Sequence, residues 1–247
     1  MTYCVAVKIS AGLVLLADTR TNAGLDNISR FSKMFTFEAP GERVIAMMTA
    51  GNLSITQGVM SRLRRNIQKA EQEGEDIETV LSAKTLFRVA ELVGDEMCHM
   101  QDQYREEVAA QGVSTDSSIL IAGQRAGGKL RLFLVYSAGN FIEATRDTPF
   151  FQIGEHKYGK PILDRVITPE ATIEDAIKAS CVSMDSTMKS NLSVGMPLDL
   201  VVIEKDKLAF SYQRRIDADD VGFAAIARNW SQLLRTGFEA LPALGEP

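Results

Sequence analysis

The sequence predicts an α+β protein in which antiparallel hairpins alternate with groups of helices. The chain opens with two short apolar runs, 3–9 and 13–18, which are separated by the turn residues Ser10-Ala11-Gly12. Two helical patterns follow, and the alternation of hairpins and helices is then repeated along the chain. Helices grouped between hairpins indicate stacked layers of sheet and helix, but the pattern alone does not choose among α+β layouts.

The opening hairpin brings the start of the chain close to an acidic residue. In an antiparallel pair, position 2 begins the first strand and Asp18 ends the second, so both lie near the same end of the sheet. A second hairpin is predicted from 31–38 and 43–49, with Pro40-Gly41 as its turn.

Two helices are predicted after the second hairpin. Asn52 or Ser54 can cap the first helix, in which apolar residues recur every four positions. These residues are Ile55, Val59, Leu63 and Ile67. A longer helix is predicted from about 77 to 104, and its apolar residues lie on several sides. We therefore expect this helix to be covered by the sheet and by a second surface.

The second half of the chain repeats the pattern. Strands are predicted at 118–122, 130–135 and 141–145, and the second sheet is expected to start at the first of them. Two helices, a hairpin formed by 198–204 and 208–212, and a last amphipathic helix complete the chain. The apolar positions that mark these helices are Ile162, Leu163, Ile177, Cys181, Met184 and Met188, then Phe223, Ala227, Trp230, Leu234 and Phe238.

Composition limits the classes of function. The 247 residues are 45% hydrophobic and contain no interior Pro/Gly/Ser-rich linker, which favours one domain over residues 1–247. The net charge of -5 gives no general reason to bind nucleic acid, and the basic cluster 62–65 is typical of a solvated helix face. No apolar run is long enough to cross a bilayer, so no membrane association is expected.

The sequence predicts a cytoplasmic protein without a cofactor. Three cysteines, without metal-ligand spacing, favour reduced thiols, and the N-terminus lacks a secretory pattern. Two histidines are too few for most zinc hydrolases, and there is no Gly-rich phosphate-binding loop. We therefore expect no metal and no cofactor.

Thr2 could supply a nucleophile and a base together. If Met1 is removed, its hydroxyl lies next to a free α-amine that can accept the hydroxyl proton. A threonine after the initiator methionine is common and usually carries no function. Its weight here comes from three further residues in order: Asp18 at the end of the second strand, Lys33 in the third, and Gly51 after the fourth.

These four residues together resemble the proteasome β-subunit family of N-terminal nucleophile hydrolases, and the strand and helix order fits over most of the chain. The Thr-Tyr-Cys-Val start and the turn at 18–24 are most similar to its bacterial Anbu (ancestral β-subunit) branch. The resemblance implies a four-layer αββα sandwich, in which two stacked antiparallel sheets are flanked by helices.

The resemblance also implies roles for the site residues. Thr2 Oγ attacks a peptide or amide carbonyl, the α-amine transfers the proton, and the Gly51 N–H stabilises the oxyanion. Lys33, buried beside Asp18, would lower the pKa of the hydroxyl or of the amine. A lysine on a strand or an aspartate in a turn is usually solvated, so only the combination of Asp18 and Lys33 indicates an active site.

Substrate contacts are implied beyond Asp18. The family binds the peptide main chain along an extended segment there, which gives Arg20 and Asn22 this role. Thr49, just before Ala50-Gly51, matches a position that shapes the pocket for the substrate side chain.

The chain departs from the family in two motifs that support the site. Ile153-Gly154-Glu155-His156 replaces a Gly-Ser-Gly, and the segment from Asn191 to Gly195 replaces Asp-x-x-Ser-Gly. Glu155, Asn191 and Gly195 are therefore the expected supporting residues, and the first two can replace only part of the lost hydrogen bonding. A Glu155 carboxylate near the N-terminal ammonium would favour the protonated amine and weaken it as a base.

Two functions remain open from the sequence. One is a threonine peptidase or amidohydrolase that acts on peptides or proteins inside a large homo-oligomer. The other is a catalytically weak or inactive scaffold subunit of such an assembly. The resemblance implies a ring or an open lock-washer, and it leaves room for an unfoldase partner of unknown identity.

Overall fold

The computed structural model describes residues 2–22, 28–110, 112 and 114–245, with side chains for all of these except 22, 28, 105 and 107–109. These residues form mixed α/β structure with three sheets. The strands are β1 (Tyr3–Ile9), β2 (Gly12–Asp18), β3 (Arg20–Asn22), β4 (Ile28–Arg30), β5 (Met34–Ala39), β6 (Arg43–Gly51), β7 (Ser117–Arg125), β8 (Arg131–Val135), β9 (Phe141–Glu143), β10 (Phe150–Gly154), β11 (Leu198–Glu204) and β12 (Tyr212–Ile216). The helices are α1 (Leu53–Gln68), α2 (Leu86–Ala110), α3 (Lys160–Val166), α4 (Ile173–Ser190) and α5 (Val221–Glu239).

Two of the sheets have five antiparallel strands each. Sheet 1 has the order β10-β1-β2-β11-β12, and sheet 2 has the order β5-β6-β7-β8-β9. Strands β3 and β4 form a separate two-stranded sheet that the sequence did not predict. The predicted arrangement of two sheets is therefore incomplete, because the short polar run after Asp18 pairs with 28–30.

Three apolar clusters connect these elements. Along β2, Leu13 and Leu15 belong to a cluster shared by sheets 1 and 2, whereas Val14 and Leu16 belong to one shared with α3, α4 and α5. Neighbouring side chains of a strand point to opposite faces, so β2 is covered on both sides. A third cluster joins sheet 2 to α1 and α2.

Helix α2 starts later than predicted. The side chains of Thr79 and Ser82 bond to backbone N–H groups within their own turn, and this competes with helical bonding. Thr85 then accepts a hydrogen bond from the Arg88 N–H at 3.0 Å, and the helix begins at Leu86. The prediction from 77 was wrong because apolar spacing alone does not show such a turn.

Most of the apolar surface of α2 is covered within the same chain, but Phe87 and Tyr104 are 46% and 40% exposed. Val89, Val93 and Met97 are buried in one cluster with residues of sheet 2 and with α1 residues such as Val59 and Met60. The second surface expected to cover α2 is therefore largely α1 of the same chain. The large exposed apolar side chains are more numerous on α5 and the residues after it, namely Val221, Leu233, Leu234, Phe238, Leu241 and Leu244.

The structure also corrects two statements about strands and adds one strand that was not predicted. The second sheet begins with β5 rather than at 118, because β6 pairs with β7 over its whole length. Strand β10 was missed, and it pairs with β1. The strand predicted at 208–212 begins only at Tyr212, because Asp206 and Leu208 adopt left-handed φ values of 64° and 50° that lengthen the turn.

The predictions are confirmed for the opening hairpin and for helices α1, α3, α4 and α5. Asn52 caps α1, since its side chain accepts from the N–H groups of Ser54 and Ile55. Among the residues described, no helix combines the length and apolar character needed to span a membrane.

Candidate active site

Thr2 lies at the entrance to β1 and is held there by β10. Its carbonyl oxygen accepts a hydrogen bond from the Glu155 N–H at 2.7 Å. Tyr3, the next residue, is in register with Gly154. Gly154 has φ +80°, and a Cβ there would lie 2.1 Å from the Thr2 carbonyl oxygen. Only glycine allows the two strands to approach this closely.

Asp18 and Lys33 form a buried ion pair next to this strand end. The Lys33 Nζ lies 2.6 Å from Asp18 Oδ1 and also donates to the Arg20 carbonyl oxygen at 2.7 Å. Asp18 also accepts from the N–H groups of Tyr3 and Gly195, at 3.0 and 3.4 Å. The carboxylate is fully buried and Lys33 is only 4% exposed. One carboxylate therefore joins β1, the lysine and the loop before β11.

The charge of Asp18 depends on these partners. Burial raises the pKa of Asp18, and Lys33 and the N–H groups of Tyr3 and Gly195 oppose that rise. A buried carboxylate stays ionised only when charge and hydrogen bonds compensate for lost hydration. Lys33 is the largest of these compensating groups.

Lys33 precedes β5 rather than lying inside a strand. Its carbonyl oxygen accepts from the Thr49 N–H at 3.0 Å, and the Phe31 N–H donates to Thr19 at 2.9 Å. Ser32 Oγ lies 3.2 Å from the Met34 carbonyl oxygen, but its single proton is better placed for Asp199 Oδ2 at 2.9 Å. Neither contact is a backbone bond of a strand ladder. The predicted strand from 31 was therefore too long, and the lysine lies in a connecting segment.

Thr2, Lys33 and Gly51 line one cleft of about 640 Å³, whereas Asp18 is buried and does not line it. Its walls contain Thr2, Thr21, Lys33, Thr49, Ala50, Gly51, Asn52, Leu53, Ser54, Thr56, Ser114, Asp116 and Gly154. Gly51 has φ +100°, and a Cβ there would lie 2.2 Å from the Asp116 carbonyl oxygen, so the position requires glycine. A larger cavity of about 720 Å³ lies along α5 and contains none of the predicted site residues.

Comparison with known proteins identifies the family of this chain. The proteasome subunit family model matches residues 2–203. Anbu from Yersinia bercovieri is 40% identical, with a TM-score of 0.90 over 99% of this chain and 100% of that one. The Pseudomonas aeruginosa structure described as a helical assembly of the Anbu complex is 42% identical, with a TM-score of 0.90 over 99% and 98% of the two chains.

The chain belongs to the Anbu branch of the proteasome subunit family. A more distant relative is the proteasome subunit alpha of Methanosphaerula palustris, which is 24% identical over 214 residues, or 87% of this chain and 80% of that protein. The resemblance seen in the sequence is therefore confirmed.

Several residues that line this Anbu cleft were not predicted as site residues, among them Thr21, Ser114 and Asp116. Thr21 lines it, and its hydroxyl oxygen is buried without a hydrogen-bond partner among the described residues. Its position three residues after Asp18 was an available signal. Ser114 and Asp116 come from the segment before β7, where their carbonyl oxygens accept from Asn52 at 3.0 and 2.9 Å. No local pattern indicated that this segment returns to the site.

Arg20 binds the loop before β11 rather than lining the cleft. Its Nη1 donates to the Leu192 carbonyl oxygen at 2.9 Å. Its guanidinium packs so closely on Gly195 that a Cβ there would lie 2.4 Å from Arg20 Cζ. The Asn22 side chain lies outside the described residues. Substrate binding by Arg20 and Asn22 stays a prediction.

Glu155 and Asn191 bind each other in this Anbu protein. The Asn191 Nδ2 donates to Glu155 Oε2 at 3.1 Å, and the N–H groups of His156 and Lys157 each donate to Oε1 at 2.8 Å. Burial raises the pKa of Glu155, but these donors outweigh it and the pKa falls below its ordinary value. The carboxylate is therefore ionised at neutral pH. Its predicted effect on the N-terminal amine stays a prediction.

Proposed function

We propose that this protein is a proteasome-type threonine hydrolase that cleaves peptide or amide bonds with Thr2, after removal of Met1. The observation that supports it most strongly is the buried Asp18–Lys33 pair, whose lysine shares one cleft with Thr2 and Gly51. Burying a cation costs desolvation free energy, which the protein must offset elsewhere. Buried charges of this kind concentrate at active sites.

The chemistry needs only groups of this chain and water. Thr2 Oγ forms a bond to the substrate carbonyl carbon while its proton passes to the Thr2 α-amine, and the Gly51 N–H stabilises the oxyanion. The resulting ammonium returns the proton to the leaving amine as the C–N bond breaks. Water then attacks the ester carbonyl carbon and gives a proton to the α-amine, which passes it to Thr2 Oγ as the ester C–O bond breaks and the carboxylic acid product leaves.

Lys33 acts electrostatically in this scheme. Its ammonium favours the deprotonated forms of the Thr2 hydroxyl and amine, which eases proton removal near neutral pH. Asp18 fixes the ammonium and is itself kept ionised by it. The pair therefore works as a unit.

The substrate is a peptide or protein bound as an extended segment. Thr49 is 3% exposed and lines the cleft, which supports a role in the pocket for the substrate side chain. Arg20 and Asn22 lie on β3 beside the site. We assign both residues to recognition of the substrate main chain. Arg20 also orders the loop before β11, whose Gly195 N–H binds Asp18.

We further propose that residues 1–247 form a single domain with the four-layer αββα arrangement. The support is the three clusters, one between the two large sheets and one between each sheet and its helices. A cytoplasmic location is supported by three cysteines without disulfide partners.

The working form is proposed to be a homo-oligomer, as a ring or an open lock-washer. A relative from P. aeruginosa is described as a helical assembly. In this chain, the C-terminal half of α5 exposes Leu233, Leu234 and Phe238, which are 64%, 55% and 75% accessible. Exposed apolar faces of this kind mark contact surfaces. An unfoldase of unknown identity would deliver folded substrates.

A second function is favoured by one observation. Glu155 and Asn191 replace serine and aspartate positions of the family and bind each other. If this change disables the amine, the protein is a scaffold or assembly subunit that keeps the fold and has lost the reaction.

The mass of the intact protein, expressed without a tag, separates the two functions. Loss of one methionine, together with hydrolysis of a fluorogenic amide that disappears in Thr2→Ala, is expected for the enzyme. A mass that includes Met1 would show that the α-amine of Thr2 is blocked, and only the scaffold function would then remain.

A further inference from the structure

The position of Lys33 depends on a short connection between the two-stranded sheet and sheet 2. Residues 31–33 join β4 to β5, so their conformation is set by individual contacts rather than by a continuous ladder. The Phe31 N–H bonds to Thr19, and the Lys33 carbonyl oxygen accepts from Thr49. Between these two contacts, the Ser32 hydroxyl donates to Asp199 Oδ2 at 2.9 Å.

Asp199 is a carboxylate at the edge of the cluster between the sheets. It lies on β11, where its backbone is in register with Ala17, the residue before Asp18, and with Arg215 on β12. On the same face of β11, Val201 and Ile203 are buried against sheet 2. Asp199 therefore reaches across from sheet 1 to the segment that precedes sheet 2.

Arg215 holds this carboxylate in a fixed orientation. Its Nε and Nη2 donate to Asp199 Oδ1 and Oδ2 at 2.8 and 3.0 Å, which is a two-point pairing of guanidinium and carboxylate. The Asp199 side chain is 14% exposed, whereas the Arg215 side chain is 50% exposed. Two-point pairing leaves Oδ2 directed at the Ser32 hydroxyl.

We propose that Asp199, fixed by Arg215, is a positioning residue that holds Ser32 and thereby sets the distance of Lys33 from Asp18 and Thr2. This inference deepens the proposed function and rests on it for its catalytic consequence. Asp199 does not line the cleft. Its effect is on geometry, and groups that orient a reactive residue change turnover more than binding.

The test compares Ser32→Ala and Asp199→Asn with the conservative Ser32→Thr, all in the full-length assembled protein. The first two variants should lower kcat on a fluorogenic amide roughly tenfold, as is typical for residues behind a reactive group, with little change in KM. Ser32→Thr keeps the hydroxyl and should recover most of the activity. Glu78→Gln is the matched control, because it removes one carboxylate of an exposed pair with Arg88 away from the cleft.

Hydrogen exchange gives a readout that does not need activity. The amides of Phe31 and Thr49 report the segment directly, and we expect both to exchange faster in Ser32→Ala and Asp199→Asn but to be protected in Ser32→Thr. If the wild-type protein hydrolyses nothing, the proposed function fails while the exchange result still decides the positioning. Unchanged exchange in both variants, or an unchanged kcat in an active enzyme, would overturn the inference.

Discussion

The ammonium of Lys33 is buried against Asp18 and should matter for the chemical step. We expect Lys33→Ala to reduce kcat by roughly 10²- to 10³-fold, the usual cost of removing a preorganised charge. Lys33→Arg should recover little, because a guanidinium is larger and planar. Asp18→Asn should behave like Lys33→Ala, and the double variant should be little worse than either. Measured kcat on a fluorogenic amide, with assembly checked by light scattering, tests this. Full activity in assembled Lys33→Ala would leave Lys33 as a structural residue.

Glu155 gives a pH-dependent contribution to stability. Its pKa in the folded protein lies below its ordinary value, despite burial, because of Lys157, Asn191 and His156. The carboxylate therefore stabilises the fold above the unfolded-state pKa, and this contribution is lost as the pH falls through the lower, folded-state pKa. Glu155→Gln should be less stable than wild type at pH 7, and the difference should shrink in acid. Urea unfolding at several pH values measures it, and a difference that grows in acid would contradict the assigned direction.

Much of the central site could be predicted from the linear order of residues. The β1–β2 hairpin brings Asp18 next to Tyr3, and pairing at the start of β5 brings Lys33 next to Thr49 on β6. Thr21 could have been proposed from its position three residues after Asp18. Ser114 and Asp116 could not be found, because only the packing of the segment before β7 against Asn52 brings them to the cleft.

The spacing of apolar residues predicted that each helix exists better than it predicted where the helix begins and ends. Helix α2 began nine residues late, at Leu86 rather than at about 77, because hydroxyl side chains in residues 79–82 form their own turn. Strand β12 was also misplaced, since a left-handed Leu208 cannot be recognised from an apolar pattern. Local side-chain bonds and backbone φ values decide such boundaries, and periodicity does not report them.

The N-terminus of α4 offers a test of such a local bond. Thr172 Oγ1 accepts from the Asp175 N–H at 3.1 Å, and the Asp175 carboxylate accepts from the Thr172 N–H at 3.3 Å, which forms a capping box. Thr172→Ala should lower the free energy of unfolding by about 1 kcal/mol, whereas Thr172→Ser should be nearly neutral. Urea titration measures both. Equal stability of Thr172→Ala and wild type would show that the cap contributes nothing.

In the single chain, α5 exposes an apolar surface, and the sequence could not predict what buries it. Spacing predicted an apolar face on α5, and Phe223 at its start is buried as expected. Leu234 and Phe238 continue the same face but are exposed. A sequence pattern marks a face for burial without saying whether the same chain or another copy buries it.

Assembly should depend on this part of α5. Leu233→Glu should weaken the oligomer with little effect on the isolated fold, because the side chain is already exposed in a single chain. Gln232→Glu is the matched control, since it adds the same charge at the adjacent exposed position on α5. Native mass spectrometry should show more of the 27.1 kDa subunit for Leu233→Glu than for the control. A wild-type protein that is monomeric at micromolar concentration, or equal assembly of both variants, would refute this role.

The proposed nucleophile is tested most directly by covalent capture. A β-lactone or a peptide epoxyketone incubated with the assembled protein should add to Thr2, and the adduct should map to the N-terminal peptide that begins at Thr2. Thr2→Ala should abolish this adduct and Thr2→Ser should retain it, because the hydroxyl is the attacking group. An adduct that persists unchanged in Thr2→Ala, or that maps to another residue in the wild-type protein, would contradict the assignment of Thr2 as the nucleophile.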